Sequence, residues 1–177
     1  MIFNLFRRTP WDPTITSLYG TIVAQARAPA FYQIYGVPDT VNGRFEMVVL
    51  HTVILLHRLR AEPALMGPLG QAIFDMFCNE MDATLREMGV GDLAVPRSMR
   101  RIGEAFYGRQ AVYEAAFAAE PALATALGRN VFGIATESTA GAERLAAYVL
   151  EAVRHLAAQD TAALGRGELR FPLPGES

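Results

Sequence analysis

Few residues in this chain could do chemistry. Its 177 residues hold 3 histidines and 1 cysteine, and all 16 basic side chains are arginine. Without lysine there is no Schiff-base chemistry and no phosphate loop of the Gly-Lys-Ser/Thr type. His51 and His57 are six residues apart, which sets them more than about 90° apart around one helix, so that helix alone cannot chelate an ion with both. Glu151 and His155 are four apart, so the Glu-x-x-His pairs of a four-helix di-iron site are missing. His51 therefore reads as a buried, hydrogen-bonded histidine, with haem ligation as the alternative.

Asp75, Asn79 and Asp82 fall at i, i+4 and i+7, and Arg86 extends the stripe. An isoprenoid-diphosphate enzyme needs denser, usually doubled, aspartate motifs for Mg²⁺, so a solvated or salt-bridged face is expected. Cys78 has no basic neighbour within four residues to lower its pKa and reads as a structural thiol. No Gly-x-Ser-x-Gly elbow and no Gly-x-Gly-x-x-Gly loop occurs. Arg97, Arg100 and Arg101 crowd a helix start, where the dipole disfavours cations. They call for acidic partners, with Asp75, Glu80 and Asp82 the nearest candidates, or for an external anion. No catalytic residue, metal or cofactor is assigned, and the chain is not expected to be an enzyme.

These residues must be positioned by a chain that is 51% hydrophobic and 19% charged, with a formal net charge of -2. That composition excludes disorder as the main state and gives no bulk attraction to nucleic acid. The longest charge-free run, between Asp12 and Arg27, is too short and too polar to span a membrane. The pattern is helix after helix. Asp12-Pro13 is a start signal, and Ile15, Leu18, Tyr19, Ile22 and Val23 follow at helical spacing. A short helix is expected over Pro29 to Tyr35. Gly43 to Arg60 is apolar on nearly every face, the mark of a central helix. Pro63 to Gly70 reads as a break. Further helices are expected over Gly70 to Met88, from Val95 through Phe117, from Glu120 to Phe132 and over Glu137 to Ala158. In the first of these Ile73, Phe74, Phe77, Met81 and Leu85 form the buried stripe, and Ile102 and Phe106 belong to that of the next helix. The fold class is all-α, a single bundle of six or seven helices. The bundle spans residues 13–164, and an extended or frayed tail follows over 165–177.

Residues 1–12 stand apart. Ile2, Phe3, Leu5 and Phe6 with Arg7 and Arg8 have the make-up of a small interfacial contact, arginines at headgroup depth beside apolar side chains. Met1 to Phe6 is too short for the apolar core of a secretory signal.

Several loop motifs, in order, resemble the ubiquinol–cytochrome c chaperone family. They are Gln25-Ala26-Arg27-Ala28-Pro29-Ala30-Phe31-Tyr32, Gly36-Val37-Pro38-Asp39-Thr40, Gly43-Arg44-Phe45-Glu46 and His51. Phe74-Asp75, Leu85-Arg86-Glu87-Met88-Gly89-Val90-Gly91-Asp92, Val95-Pro96, Ala105-Phe106-Tyr107-Gly108-Arg109 and Arg129-Asn130-Val131 continue the match, which covers residues 15 to 135. The resemblance implies an α-helical assembly factor for the cytochrome bc1 complex that binds newly made cytochrome b. Without the long presequence of mitochondrial members, the chain is expected to be a bacterial form, cytoplasmic and at the inner face of the inner membrane. A chaperone for such a client needs an apolar groove. Phe31, Tyr32, Tyr35, Val37 and Pro38 are the expected groove residues, and Arg44, Arg58 and Arg109 the expected rim. Phe45 and Phe106 are expected in the core, Gly36 and Gly43 in loop geometry. Arg44 with Asp39, and Glu46 with Arg109, are the internal pairings that would compete. The alternative function is a haem- or isoprenoid-handling helical carrier or enzyme.

Overall fold

Asp12 opens the first helix as its sequence demands. Its carboxylate accepts the Thr14 N–H at 2.8 Å, and Pro13 takes the first turn of α1 (Pro13–Ala26). Pro29 then starts α2 (Pro29–Gln33). In this computed structural model, which describes residues 12–134 and 139–175, the described residues contain helices and no strand.

The loop into the central helix turns on two glycines. Gly36 has φ +75°, where a side chain is strained. A Cβ at Gly43 would lie 2.0 Å from the Pro38 carbonyl oxygen, so only glycine lets the loop lie against the helix start. Thr40 caps α3 (Val41–Arg60) by accepting from the Gly43 N–H at 3.1 Å. From Met47 to Leu56 every residue of α3 is buried. The all-round apolar sequence therefore does mark the centre, with α1, α6 and α8 packed around it.

The expected break is instead helical. α4 (Pro63–Leu65) runs through a π turn (Met66–Gly70) into α5 (Gln71–Glu87). The π turn interrupts the regular ladder where Pro68 has no N–H to give. α6 (Val95–Ala116), α7 (Glu120–Asn130) and α8 (Ala140–Ala157) follow, α7 packed along α8. Thr139 caps α8, whose first turn starts three residues after the expected Glu137.

The chain ends in α9 (Thr161–Gly165) and an extended segment. That segment is not frayed. Ser17 Oγ donates to Gly167 O at 2.9 Å, Gln25 Nε2 to Pro172 O at 2.8 Å, and Gly175 N to the Tyr35 hydroxyl at 2.9 Å. Leu164 and Leu169 are buried. No described helix is long and apolar enough to cross a membrane. Ile2, Phe3, Leu5, Phe6, Arg7 and Arg8 lie outside the described residues.

Candidate functional site

The aromatic stretch expected to form a groove is core. Phe31, Tyr35 and Val37 are buried, Tyr32 is half-buried and only Pro38 is exposed. Phe31 packs edge-on against Tyr148 at 4.8 Å and His51 at 5.4 Å between ring centres, and Tyr35 lies 5.4 Å from Phe31. The C-terminal segment closes the cluster by setting Phe171 edge-on to His51 at 5.1 Å. These aromatics were legible as a group. What the sequence did not reveal is that the tail and α8 cover them.

His51 is fully buried with both ring nitrogens engaged. Nδ1 lies 2.7 Å from the Met47 carbonyl oxygen, which only accepts, so Nδ1 carries the proton. Nε2 then accepts from the Tyr148 hydroxyl at 3.0 Å, and that oxygen in turn accepts from Gln25 Nε2 at 2.9 Å. Burial lowers the His51 pKa to about 4 against the opposing pull of the Met47 carbonyl, holding the ring neutral. Neither nitrogen is presented to a haem iron.

Arg58 is likewise not a rim residue. It is buried at the far end of α3, fourteen residues from Arg44, or about 21 Å at 1.5 Å per residue. Its guanidinium donates to Leu156 O at 2.9 Å, Gln159 O at 3.0 Å and Thr161 Oγ1 at 3.0 Å. It thus satisfies the end of α8, where cations are favoured, and ties it to α9.

The groove that does exist lies between the first half of α3, the second half of α5 and the first half of α6. It is an open cleft of about 800 Å³. Val41, Phe45 and Val48 of α3, Met81, Leu85 and Met88 of α5, and Ile102 and Ala105 of α6 line it. Arg27, Arg44, Arg101 and Arg109 are the charged residues in its lining. Two of the three expected rim arginines are therefore here, and Arg27 and Arg101 join them. Met81, Leu85 and Ile102 sit on stripes read as core. Periodicity marked that face as apolar but not that no helix covers it.

Arg109 of the lining is held by a buried carboxylate. Glu46, with no exposed surface, accepts two hydrogen bonds from Arg109, one from Nε and one from Nη2. Burial pushes the Glu46 carboxyl up, and the guanidinium opposes it. Arg44 pairs at the mouth with Asp39 at 2.7 Å, both exposed, and lies over the Tyr32 ring. Both internal pairings considered from the sequence are thus formed. Arg27 and Arg101 are exposed and in no ion pair among the described residues.

The other charged groups are structural. Arg86 bridges Asp82 and Asp92, and Asp75 accepts from Gln71. Arg100 pairs with Glu104, so the cluster at the start of α6 does not turn to Asp75, Glu80 or Asp82 as expected. Asp75 and Asp82 have partners on α5 itself, Gln71 and Arg86. Cys78 is half-buried, and burial raises its pKa, with Asp75 adding to it. No group of histidine, cysteine and carboxylate residues among the described ones could hold a metal ion.

The family model described as ubiquinol-cytochrome C chaperone matches residues 33–171, which include every cleft-lining residue except Arg27. The ubiquinol-cytochrome-c reductase complex assembly factor 1 of Xenopus laevis is 26% identical over 149 residues, covering 82% of this chain and 74% of that protein. The crystal structure of the Cbp3 homolog from Brucella abortus superposes with a TM-score of 0.86 at 38% identity, covering 99% of both chains.

Proposed function

The chain belongs to the ubiquinol-cytochrome C chaperone family, and from that premise we propose that it assists assembly of the ubiquinol–cytochrome c reductase complex by holding newly made cytochrome b at the cleft between α3, α5 and α6. The observation that carries this reading is the cleft itself, apolar on three walls, open to solvent and edged by arginine. A membrane protein awaiting insertion exposes apolar helix faces. Covering such a face contributes roughly 25 cal/mol per Å² removed from water, and an open apolar cleft is where that burial happens. Holding a client needs no bond chemistry, so the reading assigns no enzymatic activity. It places the chain at the inner face of the inner membrane, with Ile2, Phe3, Leu5, Phe6, Arg7 and Arg8 as a further contact to the lipid surface.

The test is genetic. Deleting the gene should lower assembled reductase, seen as loss of its haem b absorbance in membranes. The wild-type gene should restore it and Leu85→Arg should not, because a guanidinium at that wall would have to be desolvated against the client. Normal reductase in the deletion strain overturns the function. Full rescue by Leu85→Arg overturns the choice of cleft.

A further inference from the structure

Each wall of the cleft repeats one spacing. On α3, Val41, Phe45 and Val48 stand at i, i+4 and i+7. On α5, Met81, Leu85 and Met88 do the same, Met88 being the residue that ends the helix. On α6, Ser98, Ile102 and Ala105 repeat it again. That spacing is how a helix presents a seam to a neighbouring helix. Three seams facing one open cleft are the surroundings of a fourth helix. The serine and alanine on α6 leave room for close approach, and the two methionines adapt to varied side chains. The seams of α3 and α5 reach the surface, where Val41 is 64% and Met88 59% exposed.

The charges narrow the occupant further. No carboxylate lines the cleft, while four arginines do. Two of these are neutralised within the chain, Arg44 by Asp39 and Arg109 by Glu46. Arg27 and Arg101 are left exposed and with no ion pair among the described residues. An occupant carrying acid beside its apolar stripe meets both cations, and one carrying lysine or arginine there meets like charge.

We propose that the cleft between α3, α5 and α6 takes an amphipathic helical segment that bears acidic side chains flanking its apolar stripe, with Arg101 and Arg27 as the residues that select the acid. This rests on the cleft being the client site, and it names the chemistry of the client segment.

The probe is a fluorescein-labelled helical peptide of about 16 residues, with leucines at i, i+3, i+4, i+7, i+8 and i+11 and glutamates on both flanks. One twin carries lysines in place of the glutamates, and another has its leucines scrambled. The full chain should bind the glutamate peptide saturably at low salt, and each twin at least about tenfold more weakly. Arg101→Glu should weaken the glutamate peptide about tenfold and strengthen the lysine twin. Because Arg101 is exposed and in no ion pair among the described residues, the variant should keep the thermal midpoint of the wild type, which the same preparation checks. Equal binding of the two charge forms, of the scrambled twin, or no effect of Arg101→Glu overturns the proposal. Failure of the peptide, with capture of phosphatidylglycerol vesicles or oleate that Arg101→Glu abolishes, overturns it in favour of a lipid. If Leu85→Arg fails to restore the reductase while the glutamate peptide does not bind, the chaperone reading stands and only the acidic-helix class falls. If the peptide binds as expected while the deletion strain assembles reductase normally, the function falls and the binding class stands.

Discussion

Arg109 of α6 reaches across to Glu46 of α3 and grips both of its carboxylate oxygens, although the glutamate side chain is fully buried and the arginine 22% exposed. Arg109 lines the cleft while Glu46 is buried, so the pair joins two of the elements that form it, α3 and α6. Removing the arginine leaves a buried carboxylate without its counter-charge. Arg109→Ala is therefore expected to cost about 3–5 kcal/mol, whereas Arg44→Ala, which breaks an exposed pair with Asp39, costs less than about 1 kcal/mol. Urea unfolding of the two variants compares them directly, and equal costs would refute the assignment of Glu46 and Arg109 as a buried pair.

Tyr148 is the hub between α1, α3 and α8, giving its proton to His51 and taking one from Gln25. Tyr148→Phe keeps the ring packing but leaves His51 Nε2 buried with no donor. The expected loss is about 1–3 kcal/mol, read as a lower thermal midpoint with helix content unchanged.

The same histidine sets a pH dependence. Its pKa is about 4 in the folded chain, below the usual value of 6.5. Between these values the unfolded state binds the extra proton, so stability falls as pH falls from 6.5 towards 4 and is fully present above that window. The whole loss is on the order of 3 kcal/mol. The raised Glu46 carboxyl works the other way, its contribution fading as pH rises through its own folded value. The measurement is thus a difference. His51→Gln should be less sensitive than wild type to acid between pH 6.5 and 4, and parallel curves would refute it.

Arg58 belongs to the fold rather than the cleft. Arg58→Ala strips donors from Leu156 O and Gln159 O and should lower stability by about 2–4 kcal/mol. Binding of the glutamate peptide at a temperature where the variant stays folded should not change. A weakened peptide with an unaltered thermal midpoint would reverse this assignment.

The entry to α3 offers a paired test. Gly43→Ala puts a methyl group into the Pro38 carbonyl and must move the loop that carries Asp39 to the cleft mouth. It should cost about 1–3 kcal/mol through overpacking and weaken peptide binding. Gly36→Ala meets no atom but strains a backbone at φ +75°. It should cost about 1–2 kcal/mol with peptide binding intact.

Local chemistry wrote most of the helices into the sequence. Asp12 and the prolines at positions 13, 29, 96 and 121 mark helix starts, because a cap or a fixed φ acts within one turn. The unbroken apolar run of α3 likewise determined which helix is central. The π turn before α5 escaped, since proline and glycine signal interruption but not its form. The tail escaped too, because its anchors on Ser17, Gln25 and Tyr35 lie more than 130 residues away along the chain.

The sequence by itself also determined that any cationic rim is arginine, and that α3, α5 and α6 each carry an apolar stripe. Only the tertiary structure decided which stripes stay open. Phe31, Tyr35 and Val37 became core because the C-terminal segment and α8 close over them, while Phe45, Leu85 and Ile102 line a cleft because α5 and α6 leave α3 uncovered there. Periodicity fixes the direction a side chain faces. Whether protein or water meets it depends on elements far away in sequence.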